Sequence, residues 1–226
     1  MLMKRLKLFL LSTFSLFPLA LAADSSAMPF SYMTPSADGK YVFVMIAPVP
    51  LDRDGSGDGQ EGREKAQRIR NKYTVSGLYL NDGSTNALWT VDWYAYGVFV
   101  PSDGIHLVRS GPWARSGSDE AFTFFEYGRP VRDVKINEVV DTTVFLHHTV
   151  SHFFWAKEMK LDDSSKTFIV ATLSGEKYVF DYRTGKTLHS FRPLRIIFAV
   201  TLLAAVATLI VLRKVKRRSL PIAAAM

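Results

Sequence analysis

The chain has 226 residues, 48% hydrophobic and 22% charged, with a formal charge of +7. Three cations lie within residues 1–22 and five within residues 213–226, with no acidic residue in either segment, so the stretch between them nets −1. The basicity is topogenic, which excludes a nucleic-acid partner, and the lack of any cysteine excludes a disulfide-stapled body.

Lys4, Arg5 and Lys7 precede an apolar run, Leu8 to Phe17, that Pro18 closes. Ala20-Leu21-Ala22 then places small residues where a signal peptidase reads them, so residues 1–22 read as a secretory signal peptide. An uncleaved anchor helix is the competing reading. Residues 23–195 follow as one extracytoplasmic body, long enough to bury a large core. Its first part, Ala23 to Pro35, reads as a polar, proline-containing lead. Asp38-Gly39 and the β-branched and aromatic run Tyr41 to Ile46 predict a turn and a strand, ended by Pro48 and Pro50.

Residues 51–70 differ in kind. Their first half is Gly and Asp, and Glu61 to Arg70 suits a short exposed helix, so the segment reads as a surface insertion. From Tyr73 the strand pattern returns over Tyr73–Leu80, Ala87–Tyr94, Tyr96–Val100 and Ile105–Arg109. It continues over Ala121–Tyr127, Val131–Ile136, Val144–Leu146, Phe153–Met159, Lys166–Thr172, Lys177–Asp181 and Lys186–His189, with Gly-, Asp- and Asn-containing turns between many of them. No stretch of the body sustains a helical apolar period, so the body is expected to be all-β.

Next come residues 196–212, uninterrupted by charge and followed at once by Arg213, Lys214, Lys216, Arg217 and Arg218. Seventeen residues at about 1.5 Å each reach about 25 Å, the short end of a bilayer core. Leu194 and the snorkelling stems of Arg195 and Arg213 extend it. A buried core helix competes, but such helices rarely lack polar positions on every face. The expectation is one transmembrane helix, a cytoplasmic basic tail over 213–226, and a body outside the cell membrane. No Asn-x-Ser/Thr sequon occurs, which favours a bacterial envelope, periplasmic or cell-surface.

A weak repeat runs through the body. Ser36-Ala-Asp38-Gly-Lys-Tyr-Val, Ser102-Asp103-Gly-Ile-His-Leu-Val and Asp162-Asp163-Ser-Ser-Lys-Thr-Phe align as turn then strand, with Asp38, Asp103 and Asp163 spaced 65 and 60 apart. Residues 153–188 end in Gly175-Glu-Lys-Tyr-Val-Phe-Asp181-Tyr-Arg-Thr-Gly-Lys-Thr-Leu188. That segment resembles a blade of the quinoprotein-like and surface-layer β-propeller repeats, which implies a propeller-like body. Blades run about 40–50 residues, so the longer spacing requires insertions. A β-sandwich or open meander is the alternative fold.

Two groups of residues are candidate sites. Asp52, Asp54, Ser56 and Asp58 place oxygens at alternate positions between glycines, a pattern that suits calcium, and its opening resembles the loops of EF-hands and integrin-type blades. Arg63 stands where an EF-hand would carry its bidentate Glu, and a solvated insertion is the plainer reading. Trp93, Arg109 and Trp113 belong to an aromatic concentration between Trp89 and Tyr127 that forms either a stacking platform for a protein or glycan partner or simply a β-core. His147, His148 and His152 read as ordinary sheet histidines, because strand residues four apart lie about 13 Å from one another. On the same ground Ser151 and His152 are expected to point to opposite faces. No nucleophile elbow, phosphate loop or metalloprotease helix occurs. The expected role is binding or scaffolding at the envelope; a membrane-tethered enzyme on envelope polymers and a structural subunit of an envelope complex are the alternatives.

Overall fold

The computed structural model describes residues 28–218 apart from Phe145, with backbone alone for Ser56 and 215–218. The expected signal peptide lies outside these residues. The body is three antiparallel sheets, each a four-stranded meander in chain order. The first holds β1 (Tyr32–Pro35), β2 (Tyr41–Met45), β3 (Gly77–Leu80) and β4 (Ala87–Thr90). β5 (Val98–Phe99), β6 (His106–Ser110), β7 (Glu120–Glu126) and β8 (Arg129–Lys135) form the second. In the third are β9 (Ala156–Asp162), β10 (Thr167–Thr172), β11 (Lys177–Asp181) and β12 (Thr187–Phe191). Helix α1 (Gly59–Lys72) rises from the insertion, α2 (Ile136–Val139) is one turn after β8, and α3 (Pro193–Arg218) follows the third sheet.

The weak repeat has a structural meaning: Asp38, Asp103 and Asp163 lie in the turn between the first and second strands of successive sheets. These turns touch. The Asp38 N–H donates to Ser102 Oγ at 3.2 Å, and the Ser102 N–H donates to Asp163 Oδ2 at 2.9 Å. Between the turns, the sheets stack through their side chains. β6 and β7 alternate, sending Leu107 and Phe125 toward the first sheet and Val108, Phe122 and Phe124 toward the third. On one side Phe125 lies 4.9 Å from Trp93, which also stacks on Phe43 of β2. On the other, Phe122 meets Phe168 and Phe180 edge-on, each at 5.2 Å.

The first sheet is also buried on both faces. Its outer side chains, Val42, Val44 and Tyr79, pack with Ile69 of α1. The insertion is therefore no loose surface segment: Ala66 and Ile69 are buried, and the helix is held along its exposed side by pairs four apart such as Gln60–Glu64 and Gln67–Asn71.

Several local expectations are corrected. β1 lies in the stretch read as an irregular lead, where its pairing with β2 outweighs its Pro and polar content. The strand expected over Ala87–Tyr94 stops at Thr90, and Trp93 reaches the core from a loop. Of the strands expected over Val144–Leu146 and Phe153–Met159, the described residues Val144, Leu146 and 153–155 form no strand beyond isolated bridges at Ala114–Phe153 and His148–Phe153. Helix α3 starts at Pro193, earlier than expected, and over Pro193–Lys214 it is long and apolar enough to span a membrane, with none of its most apolar window buried.

At the junction of the sheets, Asp103 accepts hydrogen bonds from the backbone of Ile105 and His106 and pairs with His106 Nδ1 at 2.8 Å. Burial disfavours its charge, but the bonds from His106 and Ile105 outweigh burial and hold its carboxyl at about 2 against an ordinary 3.8. A depressed carboxylate contributes stability that is present above its unfolded-state value and lost as pH falls through its folded one. In melting scans across acid pH, the stability gap between wild type and Asp103→Asn is expected to be widest above about pH 4 and to close toward about pH 2.

Candidate functional site

Of the residues picked out as calcium ligands, Asp54 is taken up by other partners. Asp54 is fully buried; its carboxylate accepts from the Ser31 N–H at 2.7 Å, from Ser31 Oγ, and from Arg70 Nε at 2.5 Å. The same guanidinium caps the carbonyls of Ala47 and Val49 at 2.6 and 2.7 Å. Asp52 and Asp58 are exposed, and among the described residues no group of three His, Asp or Glu could hold a metal ion. The glycines have a steric reason of their own. A Cβ on Gly55 would sit 2.4 Å from the Gly62 carbonyl oxygen, and a Cβ on Gly62 the same distance from that of Gly55. Two backbones cross there, and Gly55 holds φ +68° besides. Asp54 and the crossed glycines make this stretch a joint that fastens α1 to the first sheet.

Removing Asp54 leaves a half-buried guanidinium without its carboxylate. Asp54→Ala is expected to cost roughly 3–5 kcal/mol in denaturant unfolding with or without calcium. Asp52→Ala and Asp58→Ala should change stability by less than about 0.5 kcal/mol. Gly62→Ala, although it raises helix propensity, should lower stability by about 1–3 kcal/mol, because the crossing must open.

Trp93 and Arg109 do come together. The Arg109 guanidinium lies 4.8 Å from the Trp93 ring centroid and 5.1 Å from that of Phe125. Glu120 on the neighbouring strand takes the guanidinium with both oxygens, at 3.1 and 2.6 Å. Only 19% of the Arg109 side chain is exposed, and the Trp93 indole Nε1 is buried without a hydrogen-bond partner. This pair is the polar margin of a core.

Trp113 belongs to a different group. It stacks on His152 at 4.0 Å between ring centroids, and His152 meets Phe154 edge-on at 4.7 Å. Its indole also lines an open groove of about 330 Å³ with Tyr96, Pro112, Arg115 and Asp119. Tyr96 is 42% exposed and stands edge-on to Tyr94. Backbone N–H groups of Arg115 and Ser116 donate to Asp119 at 2.7 and 2.8 Å and hold its carboxyl below the ordinary 3.8. The groove thus offers aromatic walls with a cation and an ionised carboxylate at one end.

The sequence grouped Trp113 with Trp93 and Arg109, but it gave no sign of His152, a partner 39 positions away in a stretch expected to be strand. Because that stretch is loop, Ser151 Oγ reaches His152 Nδ1 at 3.2 Å, contrary to the expectation of opposite faces. Thr149 Oγ1 contacts the same nitrogen at 3.0 Å. His148 Nε2 is held by the Thr143 carbonyl at 2.8 Å.

A polar joint that had no sequence signal stands at the base of α3. Asp141 pairs with Arg192 at 3.0 Å and with Arg195 at 2.9 Å, while its own N–H donates to buried Glu176 at 3.1 Å. Arg192 also lies 5.3 Å over the Tyr178 ring and donates to the Glu138 carbonyl. No protein-family model matches this chain, and no curated protein matches it.

Proposed function

We propose that this is a single-span protein of the bacterial envelope whose exported β-body binds a protein or glycan partner in the Tyr96–Trp113 groove. The carrying observation is the groove itself, where exposed Tyr96 and half-buried Trp113 offer apolar faces beside Arg115 and ionised Asp119. Flat aromatic walls with a few charged groups suit a sugar ring or a partner's side chains. Trp93 and Arg109 act behind it by stiffening the second sheet. Support for the anchor comes from the apolar stretch of α3 and the cations that follow it, which orient the tail toward the cytoplasm.

We read the stacked meanders as a propeller-like array, since each is a four-stranded unit presenting its flat faces to its neighbours. One observation favours a second role, that of a subunit in a larger envelope assembly. The far face of the third sheet carries half-buried Ile169, Ala171 and Val179 with half-exposed Phe191, and none of these joins a core cluster of described residues.

Because the chain has no native cysteine, single replacements report cleanly. In intact cells an impermeant maleimide should label Leu88→Cys, and should label Ser219→Cys only after the membrane is opened; the reverse pattern would invert the topology. Titration of envelope glycan fragments or of a candidate partner should perturb tryptophan fluorescence in wild type and lose at least tenfold in affinity in Trp113→Ala, about 1.4 kcal/mol. Equal affinity in the variant would remove the groove from binding.

A further inference from the structure

The stretch from Thr142 to Trp155 contains no Asp, Glu, Lys or Arg in a chain that is 22% charged. Its described residues are loop, yet firmly seated: Leu146, Phe153 and Trp155 turn inward and join the core between the second and third sheets. Val144, Val150 and Phe154 turn outward, at 77%, 66% and 45% exposed. Single exposed apolar residues are ordinary, but an uncharged segment holding several of them out from a rigid base marks a surface with an occupant.

The position of the segment identifies that occupant. Asp141, immediately before it, holds Arg192 and Arg195 at the start of α3. Thr142 lines a hollow with Leu194, Ile197, Phe198 and Thr201 on the first turns of that helix. At the other end, the Trp155 carbonyl accepts from the Leu173 N–H at 2.8 Å. Leu173 is itself 49% exposed and leads into Gly175, where an added Cβ would lie 3.5 Å from the Pro193 ring. Both ends of the segment are therefore tied to the place where the apolar helix begins.

The geometry points to a second membrane contact: Val144, Val150 and Phe154, with Leu173, form a lip that rests in the headgroup region of the bilayer that α3 crosses. This rests on the reading of α3 as a span. The headgroup region adds roughly 5–8 Å on each side of the hydrocarbon core, and residues that combine apolar bodies with hydroxyl or ring-nitrogen groups settle there. The segment's threonines and histidines have that character, Val144, Val150 and Phe154 set purely apolar side chains beside them, and its lack of carboxylates removes repulsion from anionic lipid. Together, the lip and the Asp141 joint fix the tilt of the body on the membrane.

The test uses full-length protein in vesicles of phosphatidylcholine and phosphatidylglycerol, with an environment-sensitive fluorophore on single cysteines. Val144→Cys and Val150→Cys probe the lip, Leu203→Cys the helix and Leu88→Cys the body, all at exposed positions. Nitroxide-bearing lipids should quench labels at 144, 150 and 203 several-fold more than the label at 88. Quenching at 203 with water-exposed labels at 144 and 150 overturns the lip and leaves the span standing. No quenching at 203 overturns both. Labels at 144 and 150 that are wet in vesicles but shielded in native membranes assign the lip to a protein partner, and that result also overturns the bilayer assignment.

Discussion

The body depends on one constraint: the second sheet is apolar on both faces. β7 reads Glu-Ala-Phe-Thr-Phe-Phe-Glu, and the period of a strand must send Phe125 one way and Phe122 and Phe124 the other. A sheet of this kind cannot face water on either side. It needs a neighbour in front and another behind, and the first and third sheets fill those places. The remaining layers follow from the same rule, since the first sheet's outer valines are covered in turn by α1. Only the far face of the third sheet mixes apolar with polar residues, and there the stack stops among the described residues.

Hydrophobic burial brings these layers together but does not set their registration. That is fixed by a few polar joints, each between residues distant in sequence. Asp54 and Arg70 fasten the insertion, the Asp38–Ser102–Asp163 chain ties the first turns of the three sheets, and Asp141 grips the two arginines before the apolar helix. Where a joint is a buried or half-buried ion pair, as at Asp54–Arg70 and Asp141–Arg192, desolvation offsets attraction and the net stability is modest, yet breaking one side leaves an unpaired charge. Their effect is to select one arrangement from several that bury similar area.

The same joints shape what the protein can do at a membrane. The body is not hung on a flexible linker, because Arg192 is held by Asp141, Tyr178 and the Glu138 carbonyl before the helix starts. A partner captured in the groove beside Trp113 would therefore sit at a fixed height and angle relative to α3. His152, stacked under that tryptophan, belongs to the uncharged loop, so the groove and the proposed lip share one base.

What the sequence determined by itself is what short-range physics controls. Alternation and turn chemistry located most of the strands, with β11 at its expected bounds, and the repeat of Asp turns anticipated the first hairpin of each sheet. The charge-free run before Arg213 located the long apolar helix. Tertiary structure decided the rest. Asp52, Asp54 and Asp58 looked alike in sequence, but only Asp54 meets a guanidinium sixteen residues away and is buried. Trp93 and Trp113 looked like one surface, but one closes a core and the other lines a groove. The grip of Asp141 on Arg192 and Arg195 spans 51 and 54 residues and leaves no local trace. A side chain's period shows which face of its own strand it takes; which remote charge or ring it meets is set when the sheets stack.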